Sequence, residues 1–235
     1  MIKIENAEIV GWEAAIRGMR NPMNSWEKSD SLFGDEAGKI EDWTGEIFDT
    51  GIDVDIGEND FNLMKKLAYA GSVHAKYRRM ITVYVDITAP LYWWKEFDTY
   101  KVGTVANSCS TMHKIHEKEF ALEDFSHEHL INSMCMEIQE ADVRISPMQS
   151  MLTTIECLNS YRELYLETKD KKYWWQMVQL LPSSYNQRRT IMMNYEVLSN
   201  IYISRKDHKL DEWREFCVWI EQLPYSELIT GGKVE

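Results

Sequence analysis

The feature that most constrains the fold is an alternating apolar run that ends at a proline. Residues Ile81–Thr88 read ITVYVDIT and are rich in β-branched and aromatic side chains, which predicts a strand. We expect Pro90 to be the first residue of a helix, because its fixed φ suits that position and its missing N–H is not needed there. The helix should run to about Lys101 and break at Gly103. Residues Thr104–Ser110 then predict a loop of small polar side chains that can grip a phosphate or a heterocycle.

Apolar periodicity predicts most of the remaining elements. The predicted strand is Ile2–Val10, and the predicted helices are Trp12–Met19, a helix capped by Asn59 or Asp60 and running to Ala70, 127–141, Pro147–Leu166, Lys172–Leu181, a long helix from Ser183 or Ser184 to Arg205, and Asp211–Leu223. The chain has 235 residues, 44% of them hydrophobic, which suffices for one large domain or two small ones with a sizeable core. No linker or repeat interrupts it, and we predict a single domain over residues 1–235.

The charge balance argues against several classes of partner but leaves a local anion site possible. A net charge of −12 and a pI near 5.0 argue against general affinity for nucleic acid or for an acidic membrane. No apolar run approaches the roughly 20 residues that span a bilayer, and the N-terminus lacks the pattern of a signal peptide.

The cysteines Cys109, Cys135, Cys157 and Cys217 are irregularly spaced and include no C-x-x-C pair, which predicts reduced thiols in a cytoplasmic protein.

The stretch APLYWWKEFDTYKVGTVANSCSTMH, Ala89–His113, resembles the signature region of the flavin-dependent thymidylate synthases. In that family a strand leads into Ala-Pro, a helix and the motif R-H-R-x-x-S-x-N-E-x-S-x-R-Y. Read from Ala89, the R-H-R positions fall on Thr99, Tyr100 and Lys101, and the first Ser falls on Thr104. After one inserted residue, the Asn and Glu positions fall on Asn107 and Ser108, the second Ser on Ser110, and the closing R-Y on Met112 and His113. Lys101, Thr104, Asn107 and Ser110 keep the chemical type, whereas the family Glu is replaced by Ser108.

A second stretch, LLPSSYNQRRTIMMNYEVLSNIYISR, resembles the family segment in which Leu-Pro precedes a helix bearing N-A-R-x-L-x-x-F-x-x-x-R. Asn194 falls on the family Asn, Asn200 on a pocket Asn and Arg205 on the final Arg. Glu196 stands where the family has an Arg that contacts flavin or nucleotide. A carboxylate there would repel a pyrophosphate unless another cation intervenes.

The resemblance extends weakly towards the N-terminus. His74 falls on the first His of a His-Glu-x-x-x-Glu-His-like family segment. Arg78 and Arg79 follow, and they either replace phosphate-gripping arginines or form a solvated strand start. The polar residues 20–57, which include Arg20, form either a surface loop or, by their position in the family, part of the nucleotide pocket.

Helix geometry supports a pairing of two of these residues. In one continuous helix, Asn194 and Arg205 would share a face and stand roughly 16 Å apart, a span that suits an extended nucleotide ligand. The Arg205 guanidinium can bind a phosphate or a pyrimidine carbonyl bidentately. Alternatively, Arg205 is a cation that is favoured at a helix C-terminus by the helix dipole.

The resemblance implies an α/β fold in which long helices pack on a twisted, mostly antiparallel sheet, and a homotetramer with pockets between subunits. It implies reductive methylation, or a related modification, of dUMP at C5 with FAD, NADPH and methylene-tetrahydrofolate. The residues implied for catalysis are Arg205 and Ser110; those implied for cofactor binding are His74, Arg78, Lys101, Asn107, Asn194 and Asn200. The alternative is a nucleotide-binding or structural homologue without flavin or catalysis, which the changes at Thr99, Tyr100, Met112 and Glu196 favour.

Two other chemistries receive little support from the sequence. His113, His116, His127 and His129 have a spacing that is only weak evidence for a metal site, and solvated side chains explain it better, so no metal is predicted. Cys109 lies in the signature loop, but the chemistry that the resemblance implies needs no enzyme nucleophile.

Overall fold

The computed structural model describes residues 2–41, 47–49, 53–132 and 145–231. Its strands are β1 Lys3–Val10, β2 Leu32–Phe33, β3 Lys39–Glu41, β4 Ile47–Asp49, β5 Val54–Asp55, β6 Thr82–Pro90, β7 Val105–Ser108 and β8 Asn186–Asn194. Its α-helices are α1 Trp12–Arg20, α2 Glu58–Tyr69, α3 Leu91–Phe97, α4 Thr111–Lys114, α5 Pro147–Thr168, α6 Lys171–Leu180, α7 Tyr195–Arg205, α8 Asp211–Glu221 and α9 Glu227–Thr230. Among the described residues, no helix combines the length and apolar character that crossing a bilayer requires.

The main sheet has the strand order β1-β6-β8-β7, and two short antiparallel ribbons pair β2 with β5 and β3 with β4. Backbone bonds flank the β6–β8 pair at both ends: the Leu91 N–H donates to the Tyr185 carbonyl, and the Tyr195 N–H to the Ile81 carbonyl. Since one strand's start meets the other's end, these two strands are antiparallel. The predicted α/β fold with an antiparallel sheet and packed helices is therefore confirmed.

The chain groups into two compact units. Unit 1 comprises Met1–Glu5, Asp86–Thr99 and Ala106–Thr190, and unit 2 comprises Asn6–Val85, Tyr100–Val105 and Ile191–Glu235. The single domain over residues 1–235 stays a prediction.

Unit 1 contains a helical core in which α5 packs against α6. The buried side chains of this core are Ile115, Phe120, Phe125, Ile155, Leu158 and Met177. Elsewhere in unit 1, α3 buries Trp93, Trp94 and Phe97. The Trp94 indole N–H donates to the Gln187 carbonyl at 2.8 Å, which satisfies the polar group of this buried ring. The aromatic side chains of α3 therefore pack in the interior of the unit.

Unit 2 is organised around α7, which packs against α8, α9 and the short 3-10 turn Lys76–Arg79. The apolar residues of α7 are distributed around the helix because other elements cover it on several sides. Six of its eleven residues are buried. Trp12 of α1 packs edge-on against Tyr195, with ring centroids 5.2 Å apart. The helix α7, which carries Glu196, Asn200 and Arg205, is therefore the central helix of its unit.

The largest correction concerns the predicted helix from Ser183 or Ser184 to Arg205. Residues Asn186–Asn194 form β8, and the helix begins only at Tyr195. The last residues of β8 alternate, with Ile191 and Met193 buried, and pairing with β6 provides backbone partners that a helix would otherwise provide internally.

The region around Pro90 also differs from its prediction. Pro90 is the last residue of β6 and lies in the cap position, with α3 ending at Phe97 rather than near Lys101. Part of the predicted polar loop, Val105–Ser108, is the edge strand β7. The backbone donors of this segment are therefore partly used in sheet pairing.

Two further predictions need correction. Gly57, rather than Asn59 or Asp60, occupies the cap position of α2, and Asp60 is fully buried. Residues 127–132 are not helical, and the rest of the predicted helix 127–141 lies outside the described residues. The other predicted elements match β1, α1, β6, α5, α6 and α8 to within a few residues.

Candidate functional site

Arg205 lies at the C-terminal end of α7, in a corner formed by three rings. Its Nε donates to the Tyr100 hydroxyl at 2.9 Å, and its Nη1 lies 3.0 Å from Nε2 of His208. The guanidinium carbon lies 4.7 Å from the centre of the fully buried Trp213 ring and 5.7 Å from that of Tyr100. These contacts fix the plane of a half-buried cation, which is the form suited to planar recognition of phosphate or carbonyl groups.

Glu196, the charge reversal in the motif, lies in the first turn of α7 beside Arg78. Both residues are buried, at 9% and 7% exposure, and an Arg78 Nη1 to Glu196 Oε2 distance of 3.8 Å makes them an ion pair. Arg78 Nη1 also reaches the Ser199 hydroxyl at 3.5 Å. Arg78 therefore provides the cation that offsets the Glu196 carboxylate.

The ion pair is not closed by a hydrogen bond. Arg78 Nε and Glu196 Oε2 are both buried without a hydrogen-bond partner in the structure. Arg78 also lines a cavity of about 300 Å³ together with Lys65, Tyr69 and Glu227. This cavity carries charges of both signs, so it has no clear preference for an anion.

Asn194 occupies the N-cap position of α7. Its side-chain oxygen accepts a hydrogen bond from the Val197 N–H at 3.0 Å, as a capping residue does. Gly103 approaches it closely: a β-carbon on Gly103 would lie 3.0 Å from Asn194 Nδ2, and Gly103 has a φ of +80°. Asn194 therefore has a structural role in this conformation.

Three predicted residues of unit 2 are exposed. Asn200 is an exposed residue of α7, and Lys101 is exposed immediately before the turn formed by residues 102 and 103. His74 is exposed and lines a separate cavity of about 370 Å³, whose walls are largely apolar and include Met23 and Met80. The structure places His74 in a different cavity from Arg78.

The remaining two predicted residues belong to unit 1. Asn107 is exposed in β7. Ser110 caps the short helix α4, and its hydroxyl oxygen accepts a hydrogen bond from the His113 N–H at 3.3 Å. The hydroxyl hydrogen of Ser110 can still donate to a ligand.

Arg20, the buried arginine of the segment 20–57, is committed to a local network. Its Nε donates to fully buried Asp60 at 2.6 Å, and the other guanidinium nitrogens donate to the carbonyls of Ser25 and Lys28. Burial alone would raise the pKa of Asp60, but hydrogen bonds from Ser29, Ser31, Arg20 and the Asp30 N–H outweigh it and lower that pKa. Arg20 therefore orders the loop that follows α1.

The structure also locates the weak metal candidates. His116 packs edge-on against Tyr165, and His127 Nδ1 lies 2.8 Å from the Phe125 carbonyl. Within the described ranges, no group of three His, Cys, Asp or Glu side chains is arranged to hold a metal ion. The described cysteines Cys109, Cys157 and Cys217 are free thiols, and Cys135 lies outside the described residues.

The sequence motif singles out Arg205 but gives no indication of the residues that contact it. In the motif comparison Tyr100 is only a departure from the family pattern, yet its hydroxyl accepts a hydrogen bond from Arg205. His208 follows Arg205 by three residues, a spacing that places side chains together at a helix end and could have indicated the contact. No local pattern marks Trp213 as the ring beneath the guanidinium.

No protein-family model and no curated protein matches the chain. Among solved structures, it is similar to thymidylate synthase X from Helicobacter pylori, crystallised with FAD and dUMP, with a TM-score of 0.64, 16% identity and 98% of each chain covered. It is also similar to a second structure of the flavin-dependent enzyme from that organism, again with FAD and dUMP. The TM-score is 0.62 and the sequence identity 15%, with 97% of this chain and 98% of the other chain covered. For the UMP/dUMP methylase PolB from Streptomyces cacaoi, bound with 5-Br dUMP, the TM-score is 0.54 and the sequence identity 12%. The similarity covers 94% of this chain and 86% of the methylase chain. These similarities establish the fold.

Proposed function

We propose that this protein binds a pyrimidine nucleotide such as dUMP and modifies it at C5, by the reductive methylation characteristic of flavin-dependent thymidylate synthases. The observation that carries the proposal is the position of Arg205, oriented by Tyr100 and Trp213 at the end of the central helix. The likeness of fold to proteins crystallised with dUMP or its 5-bromo analogue supports it.

Within this proposal, Arg205 binds the nucleotide directly. A guanidinium already held in one plane loses little side-chain entropy when it binds a phosphate or carbonyl oxygen. Ser110, with its oxygen engaged as a helix cap, offers its hydroxyl hydrogen to the ligand. Both residues act by positioning and electrostatic stabilisation, and neither is proposed as a nucleophile.

The donor set fits a flavin in part. His74, Lys101, Asn107 and Asn200 present an imidazole, an ammonium and two amides at exposed positions, and these groups suit phosphate and heterocycle edges. We propose that they would hold FAD. Arg78 and Asn194 can join them only by exchanging their internal contacts for the ligand. Bound FAD would supply the hydride, with methylene-tetrahydrofolate as one-carbon donor and NADPH as reductant.

The assembly and location follow the same proposal. A homotetramer would bring residues of several subunits to each pocket, and a cytoplasmic location would give access to nucleotide and folate. The net charge of −12 does not favour nucleic acid or an anionic membrane as a partner.

A second candidate is a nucleotide-binding homologue that does not use flavin. The Arg78–Glu196 pair favours it, because the buried Glu196 carboxylate stands where the family motif has an arginine. This carboxylate also forms an ion pair with Arg78, so the Arg78 charge is already neutralised. In this case Arg205 would still bind the nucleotide, while FAD would not be retained.

The first experiment measures dUMP binding by calorimetry in the parent protein and in Arg205→Ala. Arg17→Ala is the matched control, because Arg17 is an exposed arginine that contacts only Glu13 in the described contacts. We expect Arg205→Ala alone to lose dUMP affinity. Equal affinity in all three proteins would refute the assignment of Arg205.

A second experiment separates the two candidates. The protein is incubated with FAD, excess is removed by gel filtration, and the visible spectrum is recorded. Retained flavin together with conversion of dUMP to dTMP, in the presence of methylene-tetrahydrofolate and NADPH, would support the synthase. Binding of dUMP by a colourless protein would support the flavin-free homologue.

A further inference from the structure

The side chain of Gln187, in strand β8, bridges the two residues that flank Ser110. Its Nε2 donates to the Cys109 carbonyl at 3.1 Å and to the Thr111 hydroxyl oxygen at 3.0 Å. These two groups lie immediately before and after Ser110 in the chain. One amide therefore holds both sides of the residue that the proposed function assigns to the ligand.

The orientation of the Gln187 amide is decided by its partners. Arg189 Nε donates to Gln187 Oε1 at 3.0 Å. A guanidinium has only donors and a backbone carbonyl is only an acceptor, so the amide oxygen must face Arg189 and the NH2 group must face the Cys109 carbonyl. The two assignments agree, and both N–H donors of the amide are directed at the residues beside Ser110.

Arg189 is itself held in place by a buried ring and an acidic side chain. Its guanidinium carbon lies 4.2 Å from the centre of the Trp94 ring, which is fully buried. Its Nη1 forms an ion pair with Asp98 at 2.7 Å, and its side chain is only 14% exposed. The Trp94 indole N–H also donates to the Gln187 carbonyl. A continuous series of contacts therefore runs from the buried Trp94 ring to the residues beside Ser110.

The helix that Ser110 caps is too short to fix the position of this residue. The Ser110 hydroxyl oxygen accepts from the His113 N–H at 3.3 Å and its carbonyl from the Lys114 N–H at 3.1 Å, both in the four-residue helix α4. A single helical turn has little stability of its own, because nucleation costs more than one hydrogen bond returns. The position of Ser110 therefore depends on contacts with neighbouring elements, such as those of the Gln187 amide.

We propose that Gln187 is a positioning residue for Ser110, which sets where the Ser110 hydroxyl meets the nucleotide. This inference rests on the proposed function, in which Ser110 offers its hydroxyl hydrogen to the ligand. Because a hydrogen bond depends steeply on distance and angle, a displaced hydroxyl binds its acceptor weakly. Removing the Gln187 amide should therefore cost about as much nucleotide affinity as removing the Ser110 hydroxyl.

The test is a double-mutant cycle in dUMP affinity, measured by calorimetry for the parent, Gln187→Met, Ser110→Ala and the double variant. Each single substitution should weaken dUMP binding by about 5- to 10-fold, the usual effect of one lost hydrogen bond. The double variant should bind within about 2-fold of either single variant. A merely structural defect would lower affinity by the same factor whether or not Ser110 keeps its hydroxyl, so this coupling identifies positioning.

Gln176→Met is the matched control. In the described contacts, Gln176 Nε2 donates only to the Lys172 carbonyl of its own helix, so this variant should bind dUMP as the parent does.

Hydrogen exchange of the unliganded protein tests the contact without dUMP. The His113 and Lys114 N–H groups are bonded to Ser110, so they should exchange faster in Gln187→Met than in the parent or in Gln176→Met. Equal exchange in the three proteins would overturn the positioning role of Gln187.

The binding outcomes separate this inference from the proposed function. Unchanged dUMP affinity in Gln187→Met, with loss in Ser110→Ala, would overturn the inference alone, as would losses that multiply in the double variant. Full dUMP affinity in both Ser110→Ala and Arg205→Ala would overturn the proposed function as well. Circular dichroism shows whether each variant is folded. If Gln187→Met is not, Gln187→Glu repeats the cycle, because it keeps the shape and the contact with Arg189 but has no N–H for the Cys109 carbonyl.

Discussion

Removing Arg78 should destabilise the protein far more than removing an exposed arginine. At a separation of 3.8 Å and an effective dielectric constant of about 20, the Arg78–Glu196 attraction is about 4 kcal/mol. Arg78→Met would leave the Glu196 carboxylate buried without its counter-ion, and we expect a loss of about 3–5 kcal/mol. Domains are typically stable by only about 5–15 kcal/mol, so this is a large fraction.

A double-mutant cycle isolates the pair. Arg78→Met combined with Glu196→Gln removes both charges, and we expect it to recover at least about 2 kcal/mol of the loss predicted for Arg78→Met. The matched control is the Arg17–Glu13 pair, whose side chains are 64% and 66% exposed and whose coupling should be about 0.3–0.5 kcal/mol.

Urea unfolding followed by far-UV circular dichroism gives the free energy of each variant, with constant m-values as the check that the unfolded state is unchanged. A loss below about 1 kcal/mol for Arg78→Met, or equal coupling in the two pairs, would refute the buried ion pair.

Asn194→Ala should lower stability by about 1 kcal/mol through loss of the helix cap, whereas Asn200→Ala, at an exposed position, should change it by less than about 0.5 kcal/mol; thermal melting compares them. The lowered pKa of Asp60 means that its contribution to stability is complete above its ordinary pKa of 3.8 and is lost as pH falls through the folded-state pKa. Asp60→Asn should therefore remove part of the acid sensitivity, measured by urea unfolding at about pH 3 and pH 5. Burial, together with smaller effects of the nearby carboxylates, raises the pKa of the Cys217 thiol to about 11. Iodoacetamide at about pH 8 should therefore label the exposed Cys109 before Cys217, which mass spectrometry would show. Equal labelling of the two cysteines would contradict this prediction.

Local periodicity predicted the elements whose burial is one-sided or simply alternating. β6 alternates along most of its length, and α8 buries Trp213, Phe216, Cys217 and Ile220 on one face. In both cases, the sequence neighbours of each residue carry enough information to identify the element.

The pattern was insufficient where distant partners decide the structure. β8 contains only a short alternation, and its conformation depends on pairing with β6, about a hundred residues earlier in the chain. Arg205 was identified by motif position, but its contact with Tyr100 joins residues 105 positions apart. Likewise, the motif revealed Glu196 as a charge reversal but did not reveal Arg78 as its partner.

The Arg78–Glu196 pair also restricts how this sequence can change over evolutionary time. Introducing an arginine at position 196 would place two cations together in a buried site, and losing Arg78 alone would leave the Glu196 carboxylate buried without its counter-ion. Either single step passes through a destabilised protein, so the two positions should change together. Relatives that keep an arginine at position 78 should therefore keep an acidic residue at position 196, and a designer who reinstates the motif must alter both.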